Sequence, residues 1–405
     1  MCRACRRSLN CITPPHILQM LLESTDSGIR EAALGSLLST TELRGERNVR
    51  ALSAITATPD TGRRTIYDCR TTKVLTSAVL ARTEDGAPSK DRAVNQAFDG
   101  FGKTRDFYKQ VLSRNSIDDR GMRLNGFVHY GSAFQNAFWD GQEMIFGDGD
   151  GKVFGNFTGS IDVIAHELTH GVTEYTANLR YHGQSGALNE SISDVFGSLV
   201  KQWTRNETAA AADWLIGAEI FTPGLRGDAL RSMKAPGTAY DNDLIGRDPQ
   251  PDHMDKFVIL PDTPKGDYAG VHVNSGIPNK AFYLTATAIG GPAWEAPGHI
   301  WYESLKASGE TTDFQQFATT TYQKAGQLYG SNSAQQRAVL EAWREVGIRV
   351  SGASARGGGG GAGGAHAAER DGESESFAAL ARHVKDLAEQ VEVLLHDVAT
   401  LKQES

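Results

Sequence analysis

The sequence has no stretch apolar enough, over the ~18 or more residues required, to cross a bilayer as a helix, so no membrane partner is expected. Cysteine is scarce: four in 405 residues, too few for a disulfide scaffold. Cys2, Cys5 and Cys11 crowd the first eleven positions, and Cys69 stands alone. Cys2 and Cys5 form a CxxC, but no second pair completes a zinc knuckle. An excess of basic charge is also lacking. Forty-one Lys and Arg against 49 Asp and Glu leave a formal charge of −8, which argues against nucleic acid and anionic lipid as partners. The start of the chain carries Arg3, Arg6 and Arg7. No apolar segment of about 7–15 residues follows them, so no secretory signal is recognisable.

What is present is the material of a folded protein. Apolar residues are 40% and charged residues 22%, enough for a sizeable core spread over two or three domains. Ile17, Leu18, Leu21 and Leu22, then Ile29, Leu34, Leu37 and Leu38, have helical spacing behind Pro14-Pro15. With the polar stretch Thr41–Arg50 they read as a small helical pre-piece, residues 1–52. A β-rich lobe is expected over 53–181. Its strands are expected at 65–68, 74–80, 127–130, 137–139 and 143–146, with a helix at 91–114. Asp140-Gly141 is a hairpin signal between two of these strands. Asp148-Gly-Asp150 has the opening of a calcium loop, but the twelfth position is Gly159 rather than Glu, which excludes an EF-hand. From Ser160 the hydrophobic period changes from 2 to 3.6. Helices are expected at 160–178, 188–204, 275–290, 292–307, 313–328 and 333–346, and a helical lobe over 182–350.

Residues 351–366 are glycine-rich and read as a flexible linker. In residues 367–405, Phe377, Leu380, Val384, Leu387, Val391, Leu394, Val398 and Leu401 alternate spacings of three and four. β-branched residues at one seam position and Leu at the other favour a parallel two-stranded coiled coil, hence a homodimer through 377–401. Ala381, Ala388 and Leu395 widen the apolar face and leave open a single helix folded onto its own chain.

His166-Glu167-Leu168-Thr169-His170 lies within a helix-period run. Two His at i and i+4 share one face and can reach one zinc ion, with the intervening Glu beside the open coordination position. Downstream, Glu190 and Asp194 are again i and i+4. Glu190 can complete a His2Glu site, and Asp194 can accept the second ring N–H of a ligating His.

The stretch His166–Lys201, HELTHGVTEYTANLRYHGQSGALNESISDVFGSLVK, resembles the zinc region of the thermolysin family of neutral metalloendopeptidases. Similarity extends from about Tyr67 to Ile348 and includes Asn136-Ala-Phe-Trp139, Leu230-Arg-Ser-Met233 and Gly270-Val-His272-Val-Asn-Ser-Gly276. The resemblance implies an α+β, two-lobe metalloprotease with one catalytic zinc on His166, His170 and Glu190. It implies Glu167 as general base, His272 and Tyr181 as donors to the oxyanion, and Asp267 orienting His272. Asp194 and Asn189 would support the zinc ligands. Asn136 and the Ala137 backbone would hold the substrate main chain. Arg231 would hold a substrate carbonyl and support Glu190. Phe154, Val163, Ile216, Ile220 and Leu230 would form an apolar primed-side pocket, giving cleavage before Leu, Phe, Ile or Val in protein and peptide substrates.

Two departures qualify the resemblance. Of the positions matching the family's double calcium site, Asp162 and Asp213 keep a carboxylate, whereas Lys201, Leu215 and Ala218 do not. At most one weakly held Ca2+ is expected. The pre-piece is short, as in the short-propeptide (protealysin-like) branch, which implies a zymogen cut around Arg44–Ala51. A thiolate of Cys2, Cys5 or Cys11 capping the zinc in the precursor is a minor reading. Family members are usually secreted, while the missing signal leaves a cytoplasmic location or another export route open. The rival for the catalytic body is a non-catalytic peptide-binding relative.

Overall fold

A computed structural model of the chain describes residues 10–50 and 62–351, with side chains described for 11–43 and 62–351. The chain divides into two units, residues 1–353 and 354–405. The linker beyond Ser351 and the heptads at 377–401 lie outside the described residues, as do Cys2 and Cys5.

The N-terminal lobe is built on a six-stranded sheet. Its strands are β1 (Asn10–Cys11), β2 (Arg64–Asp68), β3 (Val79–Thr83), β4 (Leu124–Val128), β5 (Ala137–Trp139) and β6 (Glu143–Phe146). Their order is β1-β5-β6-β4-β2-β3. β2 and β4, and β4 and β6, run parallel, while β5–β6 is the hairpin that Asp140-Gly141 announces. Gly141 sits at φ 101, where a side chain would be strained. β5 would be the sheet edge but for β1, which pairs with it antiparallel: Asn10 opposite Trp139 and Cys11 opposite Phe138. The pre-piece continues into α1 (Pro15–Leu21) and α2 (Ser27–Arg50). Pro15 suits a first helical turn because the N–H it lacks would find no partner there.

Helix α3 (Arg92–Leu112) packs on the sheet, capped by Asp91, which accepts from Val94 N. Then come α4 (Ile161–Glu174) and α5 (Gly183–Arg205). Every residue of α4 from Asp162 to Thr173, and of α5 from Ser185 to Gln202, is buried. Both helices therefore run through the core, and their many buried polar side chains must find partners inside the protein. The helices can approach closely because Gly197 has no side chain: a Cβ there would lie 2.7 Å from the Asp162 carbonyl oxygen. Beyond them, β7 (Leu215–Ile216) pairs with β8 (Arg231–Ser232), placing Ile216 opposite Arg231. A two-stranded ribbon follows, β9 (Asp241–Asn242) with β10 (Gly246–Arg247). The remaining helices are α6 (Asp267–Asn274), α7 (Gly276–Ile289), α8 (Ala296–Lys306), α9 (Phe314–Tyr329) and α10 (Ala334–Glu345). The last four pack around Trp301 and Trp343, which stack with ring centroids 6.2 Å apart.

One element differs from expectation. The strand expected at 74–80 is a single 3₁₀ turn at Leu75–Ser77 with the strand displaced to Val79–Thr83. The Ser77 hydroxyl donates to Val74 O at 2.7 Å, a local bond that competes with sheet pairing. Helix α2 continues past its last apolar repeat, Leu37-Leu38, through the polar stretch to Arg50. Ser36, Ser39, Thr40 and Thr41 each donate a hydroxyl to the carbonyl four residues back, which accommodates polar side chains within the helix.

Candidate active site

Helices α4 and α5 bring three metal-binding side chains together. His166 Nε2 and His170 Nε2 are 3.0 Å apart. Glu190 Oε2 lies 3.4 Å from the first and Oε1 3.4 Å from the second. All three side chains are fully buried. Among the described residues this is the one group of His, Cys, Asp and Glu close enough to share an ion. Cys11 is not in it, so its thiol does not cap the centre. Two neutral imidazoles and a carboxylate, with Glu190 Oε2 buried and lacking a hydrogen-bond partner, fit Zn2+ in a tetrahedral site with one position open.

The far nitrogens of both histidines are engaged. His166 Nδ1 is 2.8 Å from Asp194 Oδ1, and His170 Nδ1 is 2.8 Å from Asn189 Oδ1. Each contact fixes ring orientation, and with it the nitrogen that faces the metal position. Ser193 Oγ also lies 3.0 Å from His170 Nδ1, a contact the sequence did not announce. Burial alone would raise the Asp194 pKa; the Arg231 and His166 charges outweigh it and hold it down at about 2. Arg231 grips Asp194 with two parallel bonds, Nε to Oδ2 and Nη2 to Oδ1, both 2.8 Å. Arg231's hydrogen bonds to the centre go to Asp194, and its charge also interacts with Glu190.

Glu167, between the two histidines in sequence, accepts from the backbone N–H of Trp139 at 3.0 Å through Oε2. Its Oε1 is buried without a partner. Burial pushes its carboxyl well above the usual carboxylate range. The Trp139 bond ties the zinc helix to β5 and was not legible in the sequence.

A third segment closes the site. Asp267, Tyr268, Ala269 and Gly270 all have positive φ, between 50° and 78°, forming one left-handed turn. A Cβ on Gly270 would lie 2.7 Å from Asn274 Nδ2, so the turn needs glycine there. The turn folds Asp267 back onto the following helix. Its Oδ1 is 2.5 Å from His272 Nδ1, and its Oδ2 accepts from His272 N at 2.8 Å. His272 Nε2 then points at the centre, 3.6 Å from Glu190 Oε1 and 3.3 Å from Tyr181 OH. The Tyr181 hydroxyl donates to Glu190. Gln250, unremarked in the sequence, anchors this turn by donating to His272 O at 2.8 Å and to Ser275 Oγ at 3.0 Å.

The cleft is filled by the chain's own pre-piece. Ile12 N donates to Ala137 O at 3.2 Å. Thr13 N donates to Asn136 Oδ1 at 3.0 Å. Arg231 Nη1 donates to Ile12 O at 3.0 Å, and Cys11 O lies 2.8 Å from His272 Nε2. The Ile12 side chain is wholly buried in the apolar cluster that also contains Phe154, Val163, Ile216, Ile220 and Leu230. Cys11 joins a second cluster with Phe138, Phe127 and Cys69. Around Gly217 the pocket residues converge, since a Cβ there would meet Leu230 Cδ1 at 3.0 Å and Ile220 Cδ1 at 3.5 Å. The Phe154 ring packs against Phe157 and Phe221.

Asp162 and Asp213 do converge, but on an ammonium group. Lys201 Nζ is 3.1 Å from Asp162 Oδ2 and 3.0 Å from Asp213 Oδ2.

Known proteins carry the same architecture. Residues 45–174 match the family model of the thermolysin metallopeptidase catalytic domain, and residues 177–348 that of its alpha-helical domain. An extracellular metalloprotease of Pectobacterium carotovorum subsp. carotovorum is 44% identical over 346 residues, covering 85% of this chain and 98% of its own length. Protease PrtS of Photorhabdus sp. is 46% identical, covering 84% of this chain and 92% of its own length. The solved precursor of protealysin, a metalloproteinase from Serratia proteamaculans, superposes with a TM-score of 0.75 at 46% identity, covering 84% of this chain and 99% of that one. With its His2Glu centre built on α4 and α5 and its short pre-piece, the chain belongs to the thermolysin family of zinc metalloendopeptidases, in the protealysin-like branch.

Proposed function

We propose that this zinc endopeptidase cuts peptide bonds on the N-terminal side of large apolar residues. We further propose that its pre-piece holds the substrate's place until it is removed. One observation carries the reading: Asn10–Ile12 lies along β5 as an added strand, with Ile12 fully buried in the core cluster that includes the proposed pocket residues and two successive carbonyls on His272 and Arg231. A substrate strand laid the same way would present the carbonyl preceding its apolar residue to His272. An apolar pocket selects by area removed from water, at ~25 cal/mol per Å².

His166, His170 and Glu190 would hold a zinc ion, which when bound would supply Lewis acidity for the scissile carbonyl and the attacking water. Glu167 takes a proton from that water and delivers it to the leaving nitrogen as the C–N bond breaks. His272 and Tyr181 donate hydrogen bonds to the oxygen on which charge builds, stabilising the transition state more than the ground state. Asp267 holds the His272 ring and its tautomer. Asn136 and Ala137 hold the main chain by strand addition. Asn189 and Asp194 hold the two imidazoles, and Arg231 bridges Asp194 to the substrate carbonyl.

Asp162 and Asp213 already face the Lys201 cation, so no calcium is needed there, and millimolar Ca2+ should leave the melting temperature of the wild-type protein unchanged. The Pectobacterium relative named an extracellular metalloprotease favours secretion. The heptads at 377–401 favour a dimer, which a comparison of solution mass with and without residues 366–405 tests.

The deciding experiment is digestion of denatured casein by the processed enzyme and its Glu167→Ala variant, with products read by mass spectrometry. Cuts before Leu, Phe, Ile or Val that vanish in a zinc-loaded variant support the proposal. Zinc-loaded, processed wild type that makes no cuts points instead to a non-catalytic peptide binder.

A further inference from the structure

Among the buried charged residues that the reaction described above does not use is Lys201. Lys201 lies on α5, its side chain 2% exposed. Its ammonium is 3.1 Å from Asp162 Oδ2, 3.0 Å from Asp213 Oδ2, and donates to Leu215 O at 3.0 Å. Burial works against the charge, but Asp162, Glu219 and Asp213 outweigh it, so the group stays an ammonium.

These partners lie on elements that must keep register for the site to work. Asp162 is on α4, immediately before the pocket residue Val163. Its Oδ1 also accepts from Gly217 N at 3.3 Å. Leu215 belongs to β7, whose Ile216 O accepts from Leu230 N at 3.0 Å and whose Ile216 faces Arg231 across the β7–β8 pair. Ser160 Oγ lies 2.5 Å from Asp162 Oδ1 and 2.6 Å from Glu219 Oε2. Glu219 is also paired with Arg205, 2.5 Å away. One ammonium therefore joins the zinc helix, the Glu190 helix and the loop that carries Ile216 and Ile220.

We propose that Lys201 is a positioning residue for substrate selection. Its ammonium is the chain's own fixed cation, holding the 213–220 wall of the primed pocket, and through β8 the Arg231 guanidinium, at the spacing a large apolar side chain requires. The inference rests on the pocket reading given above. It adds that selectivity depends on a charge that touches no substrate. A wall displaced by a fraction of an ångström loses contacts with the bound side chain, while the His166–Glu190 centre is held by bonds of its own.

The test uses processed wild type, Lys201→Met and Lys201→Arg on two peptides that differ only in having Leu or Ala after the scissile bond. Zinc content is measured alongside. Lys201→Met should keep one zinc per chain and a kcat within about threefold of wild type for the Leu peptide. It should lose about tenfold of the Leu-over-Ala preference in kcat/KM, mainly through KM. Lys201→Arg should recover most of it. If Lys201→Met leaves an unpaired Asp162 that prevents folding, Asp213→Asn serves instead. Asp213 is 40% exposed, so its loss uncovers no buried charge, and the preference should shift the same way by a smaller factor. Wild-type preference in the zinc-loaded variants overturns the role of Lys201. A wild type that itself shows no preference for Leu sinks the underlying pocket reading, a result distinguishable from the first.

Discussion

The carbonyl oxygen of Cys11 lies 2.8 Å from His272 Nε2, and that of Ile12 lies 3.0 Å from Arg231 Nη1. Two donors the reaction needs are thus taken by a segment of the same chain. Being intramolecular, the segment competes at a high effective concentration. Ile12 contributes the buried anchor. A synthetic peptide spanning residues 8–27 should inhibit the processed enzyme, and its Ile12→Ala version should inhibit roughly 30-fold less, the effect of losing about 2 kcal/mol of buried apolar contact. The full-length Ile12→Ala precursor should also mature faster. Equal inhibition constants for the two peptides would remove Ile12 from the pocket.

Glu167 makes its hydrogen bond to Trp139 N and lies outside the metal-holding group. Glu167→Ala should therefore bind zinc as wild type does, by elemental analysis, while kcat falls by at least about 10³-fold, the range of a positioned general base. Parallel loss of zinc and activity would instead make Glu167 part of the metal site.

Asp267 reaches His272 twice, at the ring and at the backbone. Asp267→Asn keeps the size and can still accept the ring N–H, but it removes the charge facing the imidazole. The expected result is a kcat lower by about 10–100-fold with KM nearly unchanged and zinc retained. A change confined to KM would reassign Asp267 to substrate binding.

What the sequence made legible here was local. His166 and His170, and Glu190 and Asp194, are each one helical turn apart, so periodicity alone put each pair on one face. The Asp140-Gly141 hairpin was readable for the same reason. What escaped notice depends on contacts between segments far apart in the chain. Trp139 N on Glu167, Gln250 under His272, and Glu219 beside the Lys201 network carry no spacing signal. The left-handed turn at 267–270 was hidden because three of its four residues are not glycine. The family resemblance supplied His272, Asp267 and Tyr181, which no periodicity links to the zinc helix. It did not supply the hydrogen-bond partner of Arg231, which is Asp194.

His129 offers a pH test away from the centre. It ends β4 at φ 56, with Nδ1 2.8 Å from Asp148 Oδ2 and Nε2 3.2 Å from Asp91 Oδ2. Asp148 also accepts from Asn156 Nδ2 at 2.6 Å, and Asp91 caps α3. The hydrogen bond that His129 donates to Asp148, against the opposing effect of burial and with help from Asp91, raises the imidazole pKa from 6.5 to about 9. A folded-state pKa above the unfolded one stabilises fully below pH 6.5, and the gain is lost as pH rises through about 9. Partly exposed carboxylates reduce its size to on the order of 2 kcal/mol. Asn tolerates the left-handed backbone and carries no charge, so His129→Asn isolates the charge. With Glu167→Ala as background to prevent self-digestion, the variant should melt about 3–6 °C below its parent at pH 6. By pH 9.5 the gap should have largely closed. A gap that stays constant across that range would mean His129 acts by packing, not by its charge.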